Sequence, residues 1–271
     1  MNPASRDIAA ESLLAFWAEA GVDAMLLDEP FDRIEAGKIA PIRLPEKPAA
    51  APIAIRAAPA AGPDVSQAVA EARRLAAAAP TLEALKAAIE AFDGCPLKFE
   101  GAARQSVFYR GSITAPLMVI GEGPGQEEDA QGAPFVGRAG QLLDRMFAAA
   151  GLTDQVFITN SVFWRPPGNR NPSPGEQRVC APFLERAIQL LKPRMLLLVG
   201  GPSSKAMLKR EEGILSLRGR WFEWKSEDGA VELPAMPTLH PAFLLRQPGA
   251  KKKAWSDLLT LTERLNRPER P

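Results

Sequence analysis

The chain has 271 residues, 46% of them hydrophobic and 24% charged, with a formal net charge of +1. These values describe a folded globular chain, long enough for one large domain plus an extension, and exclude a polycation that binds nucleic acid by bulk charge. No run approaches the roughly 18 to 20 apolar residues that span a bilayer, the N-terminus has no basic segment followed by an apolar core, and only Cys95 and Cys180 are present.

A cytoplasmic protein with no membrane contact and no signal peptide is therefore expected. In residues 7–20, Leu13, Leu14, Trp17 and Ala20 fall on one helical face, within a helical extension over 1–43. Residues 44–64 are rich in alanine and proline and read as a linker, because repeated proline removes amide donors and resists packing. A helical lead-in follows over 65–93, with helices near 65–79 and 82–92 capped by Asp64 and Thr81.

From 94 to 267 the pattern changes. "PLMVIGEG", "QVFITN" and "RMLLLVGG" read as short apolar strands, with "RWFEWK" and "LPAMPTLHP" as later ones. Helices alternate with them: "AGQLLDRMFAAAG", a long one capped by Ser173 with Pro174 at its first position, one beginning at "SSKAMLKR", and "KKKAWSDLLTLTERL" at the end. Continuously apolar strands between helices predict an α/β fold with three αβα layers around a central, mainly parallel four-stranded sheet, plus the N-terminal helical extension. In such a sheet ligands bind beyond the carboxyl ends of the strands. Those ends are Gly121–Gly125, Asn160, Gly200–Gly201 and His240, the only histidine in the chain.

"GEGPGQEEDAQGAPFVGRAG", residues 121–140, puts Glu122, Glu127, Glu128 and Asp129 in one glycine-rich loop. It lacks both G-x-x-x-x-G-K-[ST] and G-x-G-x-x-G, and its carboxylates repel phosphate. The adjacent acids do not alternate as in a calcium loop. A solvated acidic turn remains open. So does a use for negative charge where a glycosidic bond breaks, since carboxylates stabilise an oxocarbenium-like sugar and orient its attacking water. A base in DNA must first be flipped out, and then needs an aromatic face, an amide to read its edge and a donor for the oxygen that gains charge. Phe135, Asn160 and His240 supply one of each at or beside strand ends. Singly, each has a plainer reading: Phe135 as core, Asn160 as a turn residue, His240 as a packed residue before proline. The proline-rich loop "WRPPGNRNPSPGE" adds Arg165, Asn169 and Arg170 as a pocket wall. After His240, the exposed-looking pair Leu244 and Leu245, with Arg246 and Lys251–Lys253, suits a wedge and phosphate contacts.

Three separated segments, "GEGPGQEEDAQGAPFVGRAGQLLDRM", "ITNSVFWRPPGNRNPSP" and "HPAFLLRQP…KKKAWSDL", together resemble the uracil-DNA glycosylase superfamily, in particular its bacterial and archaeal iron–sulfur branch. The resemblance covers roughly 94–265. It implies a monofunctional repair glycosylase that removes uracil from DNA by a dissociative route and leaves an abasic site. Rival readings are a glycosylase for hypoxanthine or xanthine and an inactive DNA-binding relative. It implies that Phe135 stacks on uracil, that Asn160 reads the base with Gly123, Gln126 and Asn169, and that His240 supports the leaving oxygen. Glu122 and Glu128 are the acids implicated in catalysis, and Arg165, Arg170, Leu245, Arg246, Lys251 and Lys252 face DNA. Related branches carry an aspartate where Gly123 stands. Cluster-bearing relatives use four cysteines; Cys95 and Cys180 match two of those positions, and Phe92 and Trp164 occupy the others. Neither aromatic ligates iron, so no cluster, no other metal and no cofactor is expected. The expected partner is uracil-containing DNA, bound by a monomer.

Overall fold

The computed structural model describes residues 65–100 and 102–267. The helix expected at 7–20, the rest of the 1–43 extension, the 44–64 linker and the Asp64 cap lie outside the described residues.

The elements in chain order begin with α1 (Val65–Ala78), α2 (Leu82–Ala91), β1 (Tyr109–Gly111), β2 (Leu117–Gly121), α3 (Gln126–Gln131), α4 (Arg138–Ala149) and β3 (Val156–Asn160). They continue with α5 (Pro174–Leu191), β4 (Met195–Val199), α6 (Gly201–Leu208), α7 (Ile214–Leu217), β5 (Phe222–Lys225), β6 (Glu232–Thr238), α8 (Pro241–Arg246) and α9 (Lys251–Leu265).

The sheet runs β1-β3-β2-β4-β6-β5. Its centre is the expected set of four parallel strands, β3, β2, β4 and β6. Two antiparallel strands, β1 and β5, extend it at the edges. Every residue of β2, β3 and β4 is buried, because helices cover both faces of the sheet. Side chains alternate between those faces. Met118, Ile120, Phe157, Leu196 and Leu198 pack with α1, α2 and α5. Leu117, Val119, Ile158, Leu197 and Val199 pack with Leu143 and Phe147 of α4 and Leu258, Leu261 and Leu265 of α9.

The lead-in helices are part of the first helical layer. α1 buries Ala68, Ala72 and Ala76 at i, i+4 and i+8, and these small side chains let it lie close along α5. Arg186 of α5 donates to the Ala79 carbonyl at 3.0 and 2.8 Å, satisfying an orphan acceptor just past α1. Thr81 caps α2 through the Ala84 N–H, as expected. Ser173 and Glu176 cap α5 reciprocally, with Pro174 at the first position. These caps fix where α5 begins, and so fix the loop that precedes it beside the site.

Candidate active site

The parallel strands bring their carboxyl ends together at one edge. Gly121, the last residue of β2, pairs directly with Asn160, the last residue of β3. A Cβ on Gly121 would overlap both Asn160 Oδ1 and the Phe135 ring, so glycine leaves the space in which amide and ring converge. Asn160 is buried, and neither Oδ1 nor Nδ2 has a hydrogen-bond partner among the described residues. Phe135 packs into the core as well as into the site. Its ring centroid lies 5.7 Å from that of His240, with the planes inclined by 31°. The expected aromatic face, amide and imidazole therefore meet in one place.

His240 caps α8, and its Nδ1 accepts from the Ala242 N–H at 3.1 Å. An accepting Nδ1 on a neutral ring leaves the proton on Nε2. Burial pushes its pKa down to about 4; Arg246 pushes the same way, and Glu128 opposes. Two residues earlier, Thr238 donates to the buried Asp257 of α9 at 2.7 Å, and Asp257 also pairs with Arg218. Asp257, which no motif singles out, interrupts the apolar face formed by Ala254, Leu258, Leu261 and Leu265, and that interruption is its mark in the sequence.

The four acids separate into distinct roles. Glu122 is partly buried, and burial raises its pKa; no hydrogen bond or ion pair reaches its carboxyl among the described residues. Its main-chain oxygen instead accepts from Ser161 Oγ at 2.6 Å. Glu128 accepts from the Gly125 N–H at 3.1 Å and the Gly137 N–H at 2.9 Å, so each of its oxygens braces one end of the segment that carries Phe135. Asp129 is buried and accepts from the Arg104 N–H at 2.8 Å, which ties α3 to the chain before β1. Glu127 is exposed. A Cβ on Gly123 would stand 2.9 Å from Val162 Cγ2 with Pro172 behind it, so a side chain there needs the proline-rich wall to shift.

The remaining expected residues scatter more widely. Asn169 is exposed at φ +55, and its Oδ1 accepts from Arg165 Nε at 2.7 Å. Arg170 forks onto Glu176 at 2.6 and 2.9 Å and reaches Glu100, so its charge is engaged inside the protein; these partners raise its pKa. Gln126, Arg246, Lys251 and Lys252 are exposed, and Leu245 is partly so. Leu244, expected to be exposed with Leu245, is buried against Leu142, Leu239 and Ala254, because the segment after His240 winds into α8 and turns that side chain inward.

A four-thiolate cluster does not fit the residues present. Cys95 and Cys180 are buried side by side, with their thiols in hydrogen-bonding reach, and burial drives the Cys180 pKa well up. The other two positions hold rings: Phe92 and Trp164 are buried with centroids 6.5 Å apart, and Phe183 meets Phe92 edge-on at 5.2 Å. Among the described residues no group of three or more His, Cys, Asp or Glu side chains is placed to hold a metal ion. Nor is any described helix long and apolar enough to cross a membrane.

Residues 108–259 match the sequence profile of the uracil DNA glycosylase superfamily. The Type-4 uracil-DNA glycosylase of Sulfurisphaera tokodaii is 38% identical over 58% of this chain and 73% of its own length. That of Pyrobaculum aerophilum is 37% identical over 65% of this chain and 91% of its own. That of Thermotoga maritima is 33% identical over 61% and 83%, respectively.

Proposed function

The chain belongs to the uracil DNA glycosylase superfamily, and from that premise we propose that it flips uracil out of DNA and hydrolyses the N-glycosidic bond, leaving an abasic site. The observation that carries this reading is the meeting of Phe135, the Asn160 amide, unpartnered among the described residues, and the neutral His240 at the ends of β2, β3 and β6. Phe135 offers a stacking face worth about 1 to 3 kcal/mol per base. The Asn160 amide has one acceptor and one donor to give, which match the N3–H and O4 of uracil. As the glycosidic bond breaks, its electron pair leaves with uracil, and negative charge gathers on O2. His240 Nε2–H donates to that oxygen without transferring its proton. The sugar becomes oxocarbenium-like, and water adds to C1′ as its proton passes to the Glu122 carboxylate and on to solvent.

Glu122 is the carboxylate available for that water, since no hydrogen bond or ion pair among the described residues engages its oxygens. Glu128 contributes through its charge and by holding the loop, because both its oxygens already accept main-chain N–H groups. Arg165, Leu245, Arg246, Lys251 and Lys252 form the DNA-facing rim in this reading, which takes the protein as a cytoplasmic monomer. The test is incubation with oligonucleotides carrying uracil, hypoxanthine or no lesion, followed by alkali. Breaks at uracil alone are expected. Breaks at hypoxanthine would widen the specificity, and none anywhere would leave a DNA-binding relative without activity.

We also read the aromatic cluster as standing in place of an iron–sulfur cluster. Burying Phe92 and Trp164 contributes about 2 to 3 kcal/mol each, so the fold needs no inorganic centre there. Protein purified anaerobically is expected to contain neither iron nor acid-labile sulfide. Stoichiometric iron with a broad visible absorbance would overturn this.

A further inference from the structure

We propose that Arg110 is a positioning residue for the base-stacking surface, an inference that rests on the reading of Phe135 as that surface. Phe135 has φ +55, left-handed backbone that a bulky side chain adopts only when its surroundings impose it. Arg110 is the principal side-chain constraint. Its Nε donates to the Pro134 carbonyl at 2.7 Å, and its Nη2 donates to the Phe135 carbonyl at 3.1 Å. The same Nη2 donates to Asp144 of α4 at 2.7 Å, which anchors the guanidinium from the far side. Gly140 completes the seat: a Cβ there would overlap the Phe135 carbonyl, so α4 lies against the peptide that Arg110 grips.

The placement of Arg110 has a consequence for register. It lies on β1, paired with Ile158 of β3, two residues before Asn160. One strand therefore carries the amide that reads the base and also sets the arginine that holds the ring stacking on it. With Arg110 removed, the two carbonyls lose the two guanidinium hydrogen bonds that hold them, and the Pro134–Phe135 peptide is free to relax toward negative φ. The ring would then leave its position beside His240.

The experiment uses the full chain with Arg110→Ala, Arg110→Lys, Phe135→Ala and the Arg110→Ala/Phe135→Ala double variant. Single-turnover uracil cleavage, inhibition by free uracil and the unfolding temperature are measured for each. Arg110→Ala is expected to slow cleavage about 10-fold and to weaken uracil inhibition by a similar factor. Arg110→Lys, able to reach one carbonyl, should recover part of both. In the Phe135→Ala background the further loss of Arg110 should change the rate by less than about 2-fold, since the two act as one unit. Full additivity in that cycle, or a lowered unfolding temperature with cleavage and uracil inhibition unchanged, would overturn the proposal. If Arg110→Ala does not fold, Asp144→Asn, which loosens the same guanidinium, should move cleavage and uracil inhibition in the same direction by a smaller factor; no change in either counts against it. Should Phe135→Ala itself leave cleavage and inhibition intact, the stacking reading fails, and this result is separable from any effect of Arg110.

Discussion

His240→Ala lowers single-turnover cleavage of uracil in DNA by about 10²- to 10³-fold while changing DNA affinity by less than about 2-fold, the loss typical of one donor aimed at developing negative charge. The asymmetry follows from when the interaction forms. The carbonyl oxygen of intact uracil is a modest acceptor, whereas the same oxygen in the departing base carries much of an electron pair. A neutral Nε2–H suits that change because it strengthens the bond without requiring proton transfer. The structure keeps the ring neutral in two ways: burial lowers its pKa to about 4, and Nδ1 is occupied as an acceptor from the Ala242 N–H. Protonating Nδ1 would set two N–H groups against each other. The single histidine gives one set of imidazole resonances, and these should titrate near 4 rather than 6.5. Activity should persist below the ordinary histidine range. Its acid limb should follow Glu122, whose pKa burial raises, so Glu122→Gln moves that limb and His240→Ala does not. Stability carries the matching sign. Between about 6.5 and 4 the unfolded chain takes up a proton that the folded chain refuses, so the stabilisation present above 6.5 is lost as pH falls through that window.

The sequence made the centre of the molecule legible and its edges much less so. β2, β3 and β4 are largely apolar runs closed by Gly121, Asn160 and, just past β4, Gly200, and a doubly covered parallel sheet follows from that pattern. Phe135, Asn160 and His240 could be grouped because each sits at or just beyond a strand end or in a long matching segment, and the structure brings the three together. Orientation was not legible where packing decides it. Leu244 and Leu245 are alike in sequence, and only the winding of α8 against Leu142 and Ala254 buries one and leaves the other half-covered. Arg165 and Arg170 look equivalent too, yet Glu176 and Glu100 capture the second from positions that loop geometry alone brings near. Three-residue β1 has no periodicity to detect, so Arg110 gave no sign of its contact with Phe135. Glu128 read as an acid facing substrate, and its hold on two glycine amides depends on a turn that places Gly137 beside Gly125.

Asn160→Ala should slow uracil cleavage by about 10²-fold, through loss of a site built to hydrogen-bond one base edge, yet leave the unfolding temperature unchanged or higher. Most buried polar side chains behave otherwise, because removing one strands its partners. Here the described residues hold no partners to strand: Oδ1 and Nδ2 are both buried and unbonded among them, at the end of β3. A buried polar group left unsatisfied costs about 1 to 3 kcal/mol, and truncation relieves that cost while opening only a small space beside Gly121 and Phe135. The two contributions oppose each other, so stability does not fall. Activity and stability should therefore part company at this residue in calorimetry and single-turnover assays on the same preparations. A lowered unfolding temperature would mean that the amide is satisfied in the free protein. It would then be a structural group, and the recognition of uracil would have to rest on main-chain atoms of residues 122–126 instead. An unchanged temperature with a slowed reaction is the outcome expected of a donor and acceptor left unmet in the free protein and met by an arriving base.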